Sequence, residues 1–342
     1  MILPRFLADL GSWHEWHAKR GTLPDQWKGM SLSEVCRDLG VPLWRSVRPW
    51  RSVLPGINVH DQRGATERTL AWETPEGTLT SRWTIGPDGD WWRSEYPVKG
   101  PADLKAALAV ARARRYVLSP VPAKEVSSGE LPALELPFRP WSELFHAFLG
   151  WSDGLMLFME EPQAIQEIAS VLEETLAPLV SEIAALPGSS VLSPDNLDGQ
   201  FITPETFQER LAPSYQATAD TLHARGKLLV VHIGGPVRRL LPGLAACGID
   251  CVQGICGPPQ GDSTLAEARS EGGTHIVLWG GIAQDFLLAD HPESEFEVAA
   301  EAAFTDAVRD PQAIVGVADK VPVGAVPRRL AELSRMAAEH FA

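Results

Sequence analysis

Apolar and polar positions follow one regular rhythm over the second half of this chain. Ser190–Ser193, Leu228–Ile233, Ile249–Ile255, His275–Ile282 and Ala313–Val317 are apolar runs of strand length. Helical patterns separate them. Thr203-Pro204 caps a helix running to about Arg225, and Val237, Leu240, Leu241 and Leu244 recur at helical spacing. Asp262–Glu271, residues 293–309 and a terminal segment from about 326 read as further helices. Strands buried on both faces and alternating with amphipathic helices make a parallel sheet. Five βα units after residue 188, with room for about three upstream, predict an α/β fold of the (β/α)8 TIM type. No Gly-x-Gly-x-x-Gly follows a strand and no Walker-type phosphate loop is present, which disfavours a nucleotide-binding open sheet.

The first hundred residues are less regular and rich in tryptophan. Ser31-Leu-Ser-Glu34 is a capping box opening a short helix with Leu32, Val35 and Leu39 on one face, stopped at Gly40. Residues 68–98 read as antiparallel strands turned at Pro75-Glu-Gly77 and Gly86-Pro-Asp-Gly89 and leading into Trp91-Trp92. Their tryptophans either stack on a flat ligand or pack the small sheet. Beyond Gly100, residues 102–115 and 161–186 are helical, and Pro178 inside the second predicts a kink or break. The expected organisation is one barrel domain over residues 1–342. Residues 1–100 form an amino-terminal extension with helices and a small antiparallel β element, packed on the barrel, and 101–342 supply its main part. A three-stranded unit of that size buries too little apolar surface to stand alone.

Composition narrows the class. The chain has 342 residues, 44% hydrophobic and 22% charged, which suits a soluble globular protein and excludes disorder or a disulfide scaffold. Thirty Lys+Arg against 44 Asp+Glu give a net charge of −14, which repels nucleic acid and anionic lipid. The basic clusters Arg112-Ala113-Arg114-Arg115 and Arg238-Arg239 read as helix-end solvation or as binding sites. Four cysteines in a chain of this length read as reduced thiols, with Cys247 and Cys251 in the core. The amino terminus lacks the pattern of a leader and no run approaches eighteen apolar residues, so a cytoplasmic location is expected.

In a barrel the chemistry sits where strands end. The residues there are polar for strand termini: Asp195-Asn196-Leu197-Asp198, His232, Gln253 with Cys256, Trp279-Gly280-Gly281 and Asp319-Lys320. Acid, base and thiol around one mouth are the ingredients of a catalytic pocket.

At these residues the chain resembles a known family. Val231-His-Ile-Gly-Gly235, Leu241-Pro-Gly-Leu, Gly248-Ile-Asp250, Ala266-Glu-Ala268 and Leu278-Trp-Gly-Gly281 resemble the uroporphyrinogen decarboxylase superfamily. Thr74-Pro-Glu-Gly-Thr78, Tyr96-Pro-Val-Lys-Gly-Pro-Ala-Asp103 and Thr203-Pro-Glu-Thr-Phe207 are similar to its corrinoid-dependent methyltransferase-like members. The resemblance implies a barrel with an amino-terminal extension. Val41-Pro-Leu-Trp44 with Arg48 and Arg51 resembles the segment by which the decarboxylase binds its tetrapyrrole, but the family's Arg-Gln-Ala-Gly-Arg block is absent. An inward arginine pair would suit a carboxylate; a surface loop is the alternative. The methyltransferases carry a zinc site of the form His-x-Cys with a second cysteine near the last strand. Here the first part reads His232-Ile-Gly234 and the second Ala318-Asp319, so that thiolate site is absent.

What the resemblance implies is therefore a methyltransferase or demethylase. It would move a methyl group between a small methylated substrate and a corrinoid (cobalamin), carried by a partner protein or free, since no Asp-x-His-x-x-Gly signature is present. His232 and Asp195 are the candidate catalytic acids. Asn196, Gln253, Trp279 and Asp319 are candidate substrate-binding residues, with Trp279 as an aromatic wall for methoxyl or ammonium groups. The metal alternatives are no tightly bound ion or a looser zinc site of His232, Cys256 and Asp319. Expected partners are the small-molecule methyl donor or acceptor, a corrinoid protein and a second copy of the chain in a homodimer. Decarboxylation of a porphyrinogen or other small acid is the alternative reaction, and a ligand-binding barrel without catalysis is a third.

Overall fold

The computed structural model describes residues 3–86, 89, 91–120 and 130–341. Eight strands form one sheet: β1 (Phe6–Leu7), β2 (Leu43–Val47), β3 (Glu130–Glu135), β4 (Ser190–Leu197), β5 (Leu228–Ile233), β6 (Cys251–Cys256), β7 (Val277–Ile282) and β8 (Ala313–Val317). Their order is β1-β8-β7-β6-β5-β4-β3-β2, every pairing is parallel, and β1 and β2 are the two edges. That is a nearly closed TIM-like barrel. The five strands expected after residue 188 are all present. Three more lie upstream, of which β1 has only two residues.

The barrel interior follows from strand alternation. Leu7, Trp44, Ala133, Leu192, Val230, Cys251, Trp279 and Ile314, one from each strand, form a single buried cluster. Trp44 and Trp279 meet in this layer, with ring centroids 4.7 Å apart and nearly perpendicular planes. A packed layer of this kind is a core, not a pore, and the carboxyl rim begins directly above it.

Contacts divide the chain into two compact units. The first, Met1–Val47 with Val121–Leu136 and Pro187–Ala342, contains all eight barrel strands. Its helices include Leu32–Asp38, opened by the Ser31–Glu34 capping box, and Leu265–Gly272, opened by a second box from Thr264 and Glu267. The segment after Thr203 starts helical at Pro204–Thr206, widens to a π turn over Phe207–Leu211 and continues as Ala212–His223. The helices Glu293–Arg309 and Pro327–His340 close the chain.

The second unit, Arg48–Pro120 with Pro137–Leu186, holds an antiparallel sheet of four strands: Asn58–Arg63, Glu67–Thr74, Gly77–Ile85 and Trp91–Glu95. The turn at Pro75–Gly77 is where the sequence places it; Pro87 and Asp88 of the next turn lie outside the described residues. Arginines cover two of the sheet's tryptophans, Trp83 and Trp91, while Trp92 is exposed. Arg93 lies 4.7 Å and Arg68 5.2 Å from the Trp83 ring, and Arg63 5.1 Å from that of Trp91. Their faces are engaged in packing. The helix Pro162–Ala185 is a single element and runs through Pro178, where the sequence predicts a kink or break. Leu172, Leu176, Leu179, Val180 and Ile183 are buried around that turn, and their packing holds the helix together. Arg114 is buried against Glu143, and Arg112 pairs with Glu167 at 2.6 Å, so the cluster at 112–115 is structural.

Candidate active site

His232 is the penultimate residue of β5, on the same face as Val230, so it continues the interior row toward the carboxyl rim. Gln253 of β6 is its register partner, and Trp279 of β7 is the partner of Gln253. The Gln253 amide orientation is fixed: its Nε2 donates to the Asp319 carbonyl at 3.0 Å, so Oε1 faces the imidazole. Oε1 lies 2.5 Å from His232 Nδ1 and can only accept, which places a proton on Nδ1. His232 Nε2 then points toward Asp319 Oδ1, 3.6 Å away. The imidazole is largely buried while the Asp319 carboxylate is open to solvent.

A further acid joins this group, one the sequence patterns do not single out. Asp9 lies two residues past β1 and accepts the Gly11 N–H at 3.1 Å through Oδ1. Its carbonyl accepts the Val321 N–H at 2.9 Å, which ties it to the loop after β8. Burial raises the Asp9 pKa above the ordinary carboxylate value, and the Asp319 carboxylate pushes it the same way. The Gly11 N–H, Lys320 and His232 oppose the shift without reversing it. A strand of two residues has no periodicity to read. The available signal was an aspartate ending an apolar run.

The remaining sequence candidates divide. Asn196 (φ 51°) and Asp319 (φ 66°) are the two non-glycine residues with left-handed backbone among the described residues. Such conformations are uncommon outside glycine and collect at functional sites. The Asn196 carboxamide lies against Gly234: a Cβ there would fall 1.9 Å from Oδ1 and 2.5 Å from Cγ. Asp195 bonds within its own strand and to a neighbouring helix. It is fully buried, accepts from Ser193 Oγ at 2.7 Å and Tyr215 Oη at 2.5 Å, and so joins β4 to the helix Ala212–His223. Trp279 is buried inside the barrel beside Trp44. Cys256 packs with Ala283, Ala318 and Phe286. Burial, reinforced by Asp285 and Asp262, pushes its thiol up to about 12, so it is a poor thiolate ligand. Burial also raises the Cys247 and Cys251 thiols.

The thiolate zinc site of the resembling methyltransferases does not fit this chain. The place where its first cysteine would project is filled by Asn196, and Asp319 stands where the second would fall. Among the described residues no group of three His, Cys, Asp or Glu side chains is arranged to hold a metal ion. His232, Cys256 and Asp319 therefore do not form the looser triad either: Cys256 lies in a different cluster. Outside this rim, Arg238 pairs with Glu267 and Glu271, while Arg48 lies 5.1 Å from the Trp50 ring. No helix among the described residues is long and apolar enough to cross a membrane.

The uroporphyrinogen decarboxylase family model matches residues 139–340, more than half of the chain. The chain belongs to the uroporphyrinogen decarboxylase family. Among solved structures it is similar to a methyltransferase from Methanosarcina mazei, with 14% identity, a TM-score of 0.55, and 76% of this chain and 75% of that one covered. It also matches a putative vitamin-B12 independent methionine synthase from Listeria monocytogenes at 11% identity and a TM-score of 0.44, covering 99% and 96% of the two chains. The first likeness concerns the fold alone. No curated protein matches the chain in sequence.

Proposed function

We propose that this decarboxylase-family barrel is a methyltransferase that moves a methyl group between a small methylated substrate and a corrinoid presented by a separate protein. The observation that carries this reading is the acid–base group at the rim: His232 oriented by Gln253 and Asp319, beside a carboxyl at Asp9 that favours its proton. The family resemblance to corrinoid methyltransferases supplies the reaction class.

Breaking a methyl–oxygen or methyl–nitrogen bond leaves the electron pair on the heteroatom, while the corrinoid cobalt, a second substrate here, takes the methyl carbon. The protein's part is to align the centres and protonate the leaving atom. Asp9 is the proposed proton source, because burial raises its pKa above that of a solvated carboxyl. His232, with Nδ1–H committed to Gln253, offers Nε2 to the substrate or to the proton's onward path. Asp319 stabilises the imidazolium that forms when Nε2 is protonated. Asp195 serves by holding Tyr215 and the end of β4, so that Asn196 keeps its place at Gly234.

Decarboxylation of a small acid is the second reading, favoured by Lys320, whose charge acts on Asp9. A cation beside a protonated acid suits a substrate carboxylate and delivery of a proton to carbon. The test is incubation with reduced corrinoid and a panel of methoxylated and methylamine compounds, following the cobalt spectrum. Methyl transfer that falls by roughly two to four orders of magnitude in His232→Ala supports the proposal. Release of carbon dioxide from a carboxylate panel, with no cobalt change, replaces it with the second reading.

A further inference from the structure

Trp279 carries a polar atom that the fold leaves unanswered. Its side chain is 2% exposed, and its indole Nε1 finds no acceptor among the described residues. Most buried donors in a folded protein are paired, and one that is not calls for a specific explanation.

The surroundings say which way this one faces. Through register pairs, Trp279 stands on one level with Gln253 and His232. Its partner on β8 is Ile314, yet its indole reaches one step nearer the rim: a Cβ built on Gly316 would lie 2.5 Å from Nε1 and 2.9 Å from Cδ1. Gly316 pairs with Leu7 of β1. Asp9 follows Leu7 by two residues, and Asp319 follows Gly316 by three. The N–H edge is therefore turned from the level of His232 toward the rim that holds both acids. Glycine at 316 makes that reach possible, since any side chain there would also meet the Leu7 carbonyl at 2.5 Å. Trp44 stands perpendicular to the ring, so part of its surface is already engaged.

We propose that the Trp279 indole N–H is a substrate-binding donor and that the substrate brings an oxygen acceptor to it, as a methyl ether does. This rests on the acid–base site proposed above and narrows its substrate class. A quaternary ammonium has no lone pair to offer, and a methylamine is protonated near neutral pH. Either would leave the N–H both desolvated and unpaired. An ether oxygen accepts the bond and is also the atom that needs a proton when its methyl group leaves. Trp279 is thus a specificity-determining residue that reads the heteroatom by its edge, in place of an aromatic wall that reads a cation by its face.

Binding, measured without corrinoid, tests this on the full chain. Protein with 15N-labelled tryptophan is titrated with anisole, with ethylbenzene (the same shape with CH2 for oxygen) and with tetramethylammonium. The Trp279 Nε1–H resonance is assigned by its loss in Trp279→Phe. If that variant does not fold, Trp44→Phe, which moves the resonance of its neighbour, makes the assignment. Anisole should shift the resonance downfield and bind about tenfold more tightly than ethylbenzene, and Trp279→Phe should abolish that preference. A purely structural Trp279 would leave the preference intact. A resonance unmoved by anisole, a preference that survives in Trp279→Phe, or tetramethylammonium binding as tightly as anisole would overturn the proposal. Absence of methyl transfer in the cobalt assay would remove the proposed reaction and leave this result readable.

Discussion

Asp9 sits where burial, aided by the Asp319 carboxylate, disfavours charge more than the Gly11 N–H, Lys320 and His232 favour it. The folded chain therefore binds this proton more tightly than the unfolded chain, whose carboxyl titrates near 3.8. The stability linked to Asp9 is full below that value and is lost as pH rises through the folded pKa. Asp9→Asn keeps an oxygen for the Gly11 N–H and cannot ionise. It should flatten that decline, with a melting temperature equal to or above wild type near pH ~8 and no gain near pH ~4; thermal melts across that range check it. Gly234 makes the opposite kind of demand. Gly234→Cys must displace the Asn196 carboxamide, and is expected to cost about 1–3 kcal/mol in denaturant unfolding. Asn196→Gly, which suits the left-handed backbone there, should recover most of that loss in the double variant. Failure to recover it would mean that the contact between 196 and 234 is not what fixes glycine. The sequence named His232, Gln253, Asn196, Trp279 and Asp319 because strand ends are countable. Asp195 was named on the same ground, and its bonds to Ser193 and Tyr215 depend on partners that counting strand ends does not reveal.

At the scale of elements, the legible parts were those whose signal is local. The Ser31–Glu34 capping box is present with both of its bonds. Ser31→Ala should cost about 1 kcal/mol, read from the shift in unfolding midpoint. The five later barrel strands were legible because both faces are buried and the apolar run is continuous. β1 and β2 were not, because β1 has only two residues and β2 is not a continuous buried run, with Arg45 and Ser46 interrupting it. Pro178 shows packing overriding a breaker. Its helix continues because a stripe from Ile165 to Ile183 is buried, at the expense of one backbone bond. Pro178→Ala should restore that bond and raise stability by about 1–3 kcal/mol; a loss of stability would show that the turn needs proline.

At the scale of the molecule, the chain weaves between its two compact units. The barrel unit takes residues up to Val47, and Arg48–Pro120 then joins Pro137–Leu186. A fragment of residues 1–100 would therefore hold β1 and β2 without the strands they pair with, and a sheet without the rest of its own unit. Limited proteolysis should not release it as a stable soluble piece; recovery of such a piece would contradict this division. The net charge of −14 disfavours the approach of further anions, which under the proposed function suits a neutral methyl donor. The central claim is that the rim of this barrel delivers a proton from Asp9 as a methyl group leaves. The pH dependence of the single-turnover rate of cobalt methylation, in wild type and Asp9→Asn, tests it most directly. The wild-type rate should fall as pH rises through the raised Asp9 pKa, and the variant should be slower by roughly two to four orders of magnitude with that limb gone. An Asp9→Asn enzyme with wild-type rates and an unchanged pH profile would contradict the claim.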